Sequence, residues 1–181
     1  TKIYINDSEG TIYEYDSANW TSEVVIAHRT GAFSISSGPA ADTLYLQLAS
    51  YWSSGPLRAL NVTTRVQRDI GGDVPGNALG EARNGFLFAG SGVETYRVDP
   101  STGASTYLGD GGDPYAGDFA VDPTSNILYA SVSGQRGVTL VTVDRATGVQ
   151  TEVGPLGVSR DVWGMGFSRS GSLFAVGLAV I

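Results

Sequence analysis

The chain has 181 residues, no cysteine and one histidine, with 18 acidic against 11 basic side chains and a net charge of −7. These values exclude a disulfide framework, thiolate metal sites, a cysteine nucleophile and any site built on two histidines. The acidic balance argues against a general phosphate-backbone binder, and 41% hydrophobic with 16% charged residues matches neither a disordered nor a membrane-spanning chain.

In chain order, the first strand signal is residues 2–6, carrying Ile3-Tyr4, followed by residues 11–16 and 22–26. Residues 31–36 lead into Leu44-Tyr45, and the cycle runs again through 57–61, 65–70 and 76–82. A third round has Leu87-Phe88, 94–99, 104–108 and 117–122; a fourth has Leu128-Tyr129, 139–144, 149–153 and 162–168. Leu173-Phe174 then opens a last, very apolar run, residues 172–181. The aromatic of each aliphatic–aromatic pair follows the previous one by 41, 43, 41 and 45 residues. A fixed period of that size is the mark of a repeat architecture. The repeats fall at about 2–39, 40–82, 83–122 and 123–168, with a partial one at 169–181.

Turn chemistry keeps the same step. Asp99-Pro-Ser-Thr-Gly103 and Asp144-Arg-Ala-Thr-Gly148 share one design: Asp accepts a backbone N–H two residues on, and Gly supplies the left-handed residue that starts the return strand. Asn61-Val-Thr-Thr-Arg65 and Asp16-Ser-Ala-Asn-Trp20 lack the glycine, so looser turns are expected there. Segments such as Ile127-Leu128-Tyr129-Ala130 are apolar on both faces, as when sheets stack face to face. No segment has the 3.6-residue apolar period of a helix, so almost no helix is expected.

A period of 41–45 residues with four antiparallel strands resembles a β-propeller. The Asp-Pro-x-Thr-Gly turn and the Ile-Leu-Tyr-Ala segment are similar to repeats of bacterial extracellular propellers of the YVTN and quinoprotein-like kind. The Gly-His…Trp-Asp signature of WD repeats and the sialidase Asp box are absent. The expected fold is therefore all-β: about four four-stranded antiparallel blades plus one surplus strand. Strand 162–168 is expected to complete the first blade, which leaves 172–181 over. Three outcomes accommodate that surplus: an excerpt of a longer propeller, assembly through the terminal strand, or a tail that covers its own ring.

The loops at one end of such blades pool Tyr51, Trp52, Tyr115 and Trp163 with Arg136, Arg160 and Asp161. Aromatic faces beside guanidinium and carboxylate groups suit a sugar ring, and these seven residues are the candidate ligand site. Gly109-Asp-Gly-Gly-Asp113 places Asp110 and Asp113 near Asp118 in sequence, a candidate oxygen-ligand set for Ca2+; no other cofactor is implied. His28 lacks a Gly-x-Ser-x-Gly elbow or an evident partner and reads as a loop residue. Asp118 is the best acid for a carboxylate-based hydrolase, while Asp16, Asp99 and Asp144 read as turn formers. The expected function is a secreted, periplasmic or surface-associated binding module, non-catalytic, for carbohydrate or protein. The alternatives are a subunit that self-assembles through residues 172–181, and a propeller hydrolase. Neither nucleic acid nor membrane insertion is expected. Three Asn-x-Ser/Thr triplets, at Asn6, Asn19 and Asn61, bear on the chain only in a glycosylating pathway.

Overall fold

The computed structural model describes the chain except residues 1, 17, 18, 39, 41, 49–52, 77, 82–84, 135, 136, 159–161, 169 and 178–181, together with the side chains of 19–23. The described residues form seventeen β-strands and no helix. β1 (Lys2–Asn6), β2 (Ile12–Asp16) and β3 (Asn19–Ala27) make a three-stranded sheet. Three four-stranded sheets follow. The first is β4 (Ser34–Ser37), β5 (Thr43–Gln47), β6 (Gly55–Asn61) and β7 (Gln67–Val74). The second is β8 (Ala78–Glu81), β9 (Leu87–Ser91), β10 (Glu94–Val98) and β11 (Ser105–Asp110). The third is β12 (Tyr115–Val121), β13 (Leu128–Gly134), β14 (Gly137–Val143) and β15 (Gln150–Pro155). β16 (Val162–Phe167) and β17 (Leu173–Gly177) form a final pair. Every pairing is antiparallel between chain neighbours, and the sheets are the blades of a β-propeller.

Each aliphatic–aromatic pair sits on the second strand of a blade, and β1 carries the first of them, with no inner strand paired to it among the described residues. The inner strands β4, β8, β12 and β16 stand side by side. Between blades lie the cores. Ile12, Ile26, Leu44, Leu46 and Leu60 fill the first interface; Tyr45, Leu57, Leu79, Leu87 and Val98 the second; Phe88, Tyr115, Phe119, Leu128 and Val141 the third. Burial on both faces accounts for the doubly apolar strands. A smaller cluster of Ala116, Val138 and Val162 fastens the β16–β17 pair to the preceding blade. Buried Gln47 ties a connection by donating Nε2 to the carbonyls of Val74, Pro75 and Gly76 at 3.1, 2.7 and 3.0 Å.

The turns behave as designed, with one correction. Asp144 Oδ1 accepts from the backbone N–H groups of Ala146 and Thr147, both at 2.9 Å, and Gly148 takes φ 74°. The turn at Asn61 is not looser: its Oδ1 accepts from Thr63 N at 3.0 Å and Thr64 N at 2.7 Å, and Arg65 N bonds back to Asn61 O at 2.8 Å. Arg65 adopts φ 61° to do so, a conformation that costs an L-residue about 1 kcal/mol or more. The same turn is kept and the side chain bears the strain. The glycine-free turn at Asp16 includes residues outside those described.

A second correction concerns closure. Strand 162–168 does not complete the first blade. β16 pairs with β17, and among the described residues no strand lies on the inner side of β1. The reason is β17: it pairs with β16 from Val162↔Gly177 to Phe167↔Leu173 and so takes the edge of β16 that β1 would need.

Candidate functional site

The gap between β1 and β16 is a cleft of about 410 Å³, within the usual range for ligand sites. All five residues of β1 form one wall, and Trp163 to Phe167 of β16 with Phe174 and Val176 of β17 form the other. Ser34–Ser37 of β4 and residues 118–121 of β12 close the inside, with Glu81 at the side. The walls are apolar where they are open. Trp163 is 50% exposed, Phe174 42% and Val176 51%. On the β1 side, Lys2 pairs with Glu14 at 2.9 Å and the Tyr4 hydroxyl donates to the same carboxylate at 2.9 Å. Burial and that carboxylate push the Tyr4 pKa up to about 12, so the phenol stays a donor at neutral pH.

Asp118 stands between three inner strands. Its Oδ1 accepts from Leu79 N of β8 at 2.8 Å, from its neighbour Phe119 N at 3.0 Å and from Ser34 Oγ of β4 at 3.3 Å. Its exposure is 8%. No cation is among these partners, so burial dominates and lifts its pKa to about 8 against the three hydrogen bonds. The carboxyl is therefore mainly protonated at neutral pH, with Oδ1 taken up by donors. Glu81, on the same cleft, accepts from Ser37 Oγ at 2.8 Å.

The residues expected to bind a ligand separate. Trp163 lines the cleft. Tyr115 is in the core instead of on a loop face: its hydroxyl is 2.6 Å from Thr95 Oγ1, its ring meets Phe119 edge-on at 4.8 Å, and only 4% of it is exposed. Tyr51, Trp52, Arg136, Arg160 and Asp161 lie outside the described residues. The three acids of the expected Ca2+ site are apart in environment. Asp110 ends β11 and accepts from Tyr107 Oη at 2.8 Å; Asp113 is held through its backbone by Gln150; Asp118 is interior. Among the described residues no three His, Asp or Glu side chains gather closely enough to hold a metal ion.

Sequence reasoning missed the small residues of the inner strands. The residue paired with the aromatic of each second strand is Ser36 opposite Tyr45, Gly80 opposite Phe88, Ala120 opposite Tyr129 and Gly166 opposite Phe174. The signal was available once the register was known: a small residue stands on every inner strand across from the repeated aromatic.

No family model matches the chain, and neither does any curated protein. Solved structures do. A Bacteroides thetaiotaomicron protein of unknown function aligns over 96% of this chain and 53% of its own, at TM-score 0.67 and 16% identity. TolB from Acinetobacter baumannii aligns over 98% of this chain and 46% of its own, at 0.63 and 14%. A chain of a nidogen–laminin complex aligns over 97% and 69%, at 0.67 and 12%. These neighbours are β-propellers, and at such identities the likeness concerns the fold. This chain spans about half the length of the Bacteroides and Acinetobacter proteins.

Proposed function

We propose that the chain is a non-catalytic binding module, that its site is the cleft between β1 and β16, and that its ligand is a protein. The observation that carries this reading is the cluster of Trp163, Phe174 and Val176, each 42–51% exposed on one wall of the cleft. Large apolar side chains gathered at one concave site mark interaction surfaces. The match to a chain solved in a nidogen–laminin complex accords with a protein ligand. The likeness of the Asp99-Pro-Ser-Thr-Gly103 turn to those of bacterial extracellular propellers supports a secreted, periplasmic or surface setting. A sugar ligand has less support, because Tyr115 is occupied in the core.

The test has two arms: selection from a displayed random-peptide library and a glycan array, each run with the native chain and with Trp163→Ala. Peptides enriched by the native chain and lost with Trp163→Ala are expected. Enrichment of glycans alone overturns the assignment.

One observation favours a second reading, a hydrolase: Asp118, with its pKa raised to about 8, and Glu81 line the same cleft. A carboxylic acid held protonated beside a second carboxylate is what glycoside hydrolysis uses. Turnover of chromogenic glycosides that Asp118→Asn abolishes would establish it; no turnover across a broad panel would dismiss it.

A further inference from the structure

Two residues past the aromatic of the repeated pair, the second strands of the first four repeats carry Asn6, Gln47, Gly90 and Ser131 in turn. The two amides perform one task. Asn6 Nδ2 donates to the carbonyls of Ala32 and Phe33 at 3.3 and 3.5 Å, in the connection from β3 to β4. Gln47 Nε2 donates to the carbonyls of Val74, Pro75 and Gly76 at 3.1, 2.7 and 3.0 Å, in the connection from β7 to β8. Each side chain reaches from its own blade to the segment that leads into the next.

The two sites differ in their balance of donors and acceptors. A side-chain amide has two hydrogens on its nitrogen and an oxygen that only accepts. At Asn6 two hydrogens meet two carbonyls, and the residue keeps part of its surface exposed. At Gln47 two hydrogens meet three carbonyls, so the amide leaves one of them over. Gln47 is also fully buried, at 0% exposure, and its Oε1 has no hydrogen-bond partner among the described residues. Turning the amide over gives no relief, because it would set Oε1 against three carbonyl oxygens. The connection is fixed as well. Gly76 takes φ 90° and lies so near β9 that a Cβ on it would fall 1.7 Å from the Gly90 carbonyl oxygen. A buried polar atom without a partner carries its full desolvation cost, which is why such atoms in folded proteins are served by the chain or by ordered water.

We propose that Gln47 Oε1 and the carbonyls of Val74, Pro75 and Gly76 form an internal binding site for one water molecule. The site lacks two hydrogens, and a water supplies two: one to Oε1 and one to the carbonyl that the amide leaves over. Buried waters hold such places by two to four hydrogen bonds each. A cation fits less well. Nε2 already turns its hydrogens to the focus of the carbonyls, and no carboxylate is among the partners to offset a charge taken out of solvent. The water ties β5 of one blade to the entry of the next, and the burial of Gln47 makes it slow to leave.

The test uses the full chain, isotope-labelled, in water–protein NOESY and ROESY spectra. A bound water gives cross-peaks of opposite sign in the two spectra, whereas hydrogen exchange with solvent gives the same sign. Opposite-sign cross-peaks are expected from water to the Gln47 side-chain amide and to the backbone N–H of Val74 or Gly76. Gln47→Met removes the amide at similar volume and is expected to lose the backbone cross-peaks, with circular dichroism reporting its fold. The native spectra decide the matter even if that variant does not fold. Absence of the cross-peaks at the native Gln47 amide would overturn the proposal. So would a crystal structure that places a protein donor within about 3.2 Å of Oε1. Backbone cross-peaks that persist in folded Gln47→Met would overturn the assignment to Oε1. A thermal midpoint that rises with potassium or ammonium chloride, but not with sodium chloride at equal concentration, would make the occupant a cation and overturn water.

Discussion

Replacing Asp118 with asparagine isolates one proton in the centre of the molecule. Asparagine presents the same Oδ1 acceptor to Leu79 N, Phe119 N and Ser34 Oγ, and its amide stands where the protonated acid has its hydroxyl. It differs in needing no proton. With a folded pKa of about 8 against the ordinary aspartate value of about 4, native Asp118 keeps a proton that the unfolded chain releases. Its favourable contribution is complete below about pH 4 and declines as pH rises toward 8. The slope across that window is about 1.4 kcal/mol per pH unit, and the whole decline approaches about 6 kcal/mol. That is a large share of the ~5–15 kcal/mol that holds a domain folded.

The assay is urea unfolding of both proteins from pH 5 to pH 9. All other groups titrate alike in the two chains, so the difference between the curves belongs to position 118. From pH 5 to pH 7 the stability of Asp118→Asn is expected to gain about 3 kcal/mol on the native protein. At a slope of ~2 kcal/mol per molar urea this separates the midpoints by roughly 1.5 M. Above pH 8 the gap stops widening, because the native carboxyl ionises in both states. Curves that stay parallel from pH 5 to pH 8 would refute the argument and show that Asp118 is ionised in the folded protein at neutral pH.

Other positions give shorter tests. Arg65→Gly relieves a φ of 61° and should stabilise the protein by about 0.5–1 kcal/mol in urea titration, the relief being partly offset by the freer unfolded chain. Ser131 Oγ is buried and finds no hydrogen-bond partner among the described residues; Ser131→Ala should therefore be neutral or stabilising by up to about 1 kcal/mol, and a loss would reveal a partner. Gly117→Ala drives a methyl against the Val162 carbonyl and should cost about 3 kcal/mol, with faster amide exchange in β16 and β17 than in β4–β11. Asp122 is held down to about 2, first by the Ser125 hydroxyl and then by Thr124. A lowered folded pKa gives stability that is lost as pH falls from about 4 toward 2, so Asp122→Asn should flatten that acid limb of a thermal-melt series.

The blades were legible because the repeat is written in features that act locally. Asp99, Asp122 and Asp144 accept from backbone groups two or three residues away, and Leu87, Phe88 and Leu128 are buried where the blades stack. The turn bonds and the burial of Leu87, Phe88 and Leu128 do not depend on how many blades there are. Tyr115 shows where this ends. A loop aromatic and a core aromatic have the same letter, and only the packing of β12 against β9 and β13 turns its ring inward toward Thr95 and Phe119. Asp118 has the same character: nothing local separates it from Asp110 or Asp113, and its burial comes from strands 39 and 84 residues away.

The cleft was beyond a count of strands for a related reason. Counting treats residues 162–168 as an inner strand free to serve any blade that lacks one. In the folded chain β17 decides the matter, because it pairs with β16 along Val162–Phe167 and takes the edge β1 would need, while Gly117 and the Ala116–Val138–Val162 contact seat the pair beside β12. The side chains that record this are ones no pattern of hydrophobicity scores: Gly80 and Gly117 are pressed by the next strand, while Gly164 and Gly166 face room. A glycine's meaning here is the identity of its neighbour. Gly80 and Gly117, on neighbouring inner strands, therefore record where one blade stands against the next.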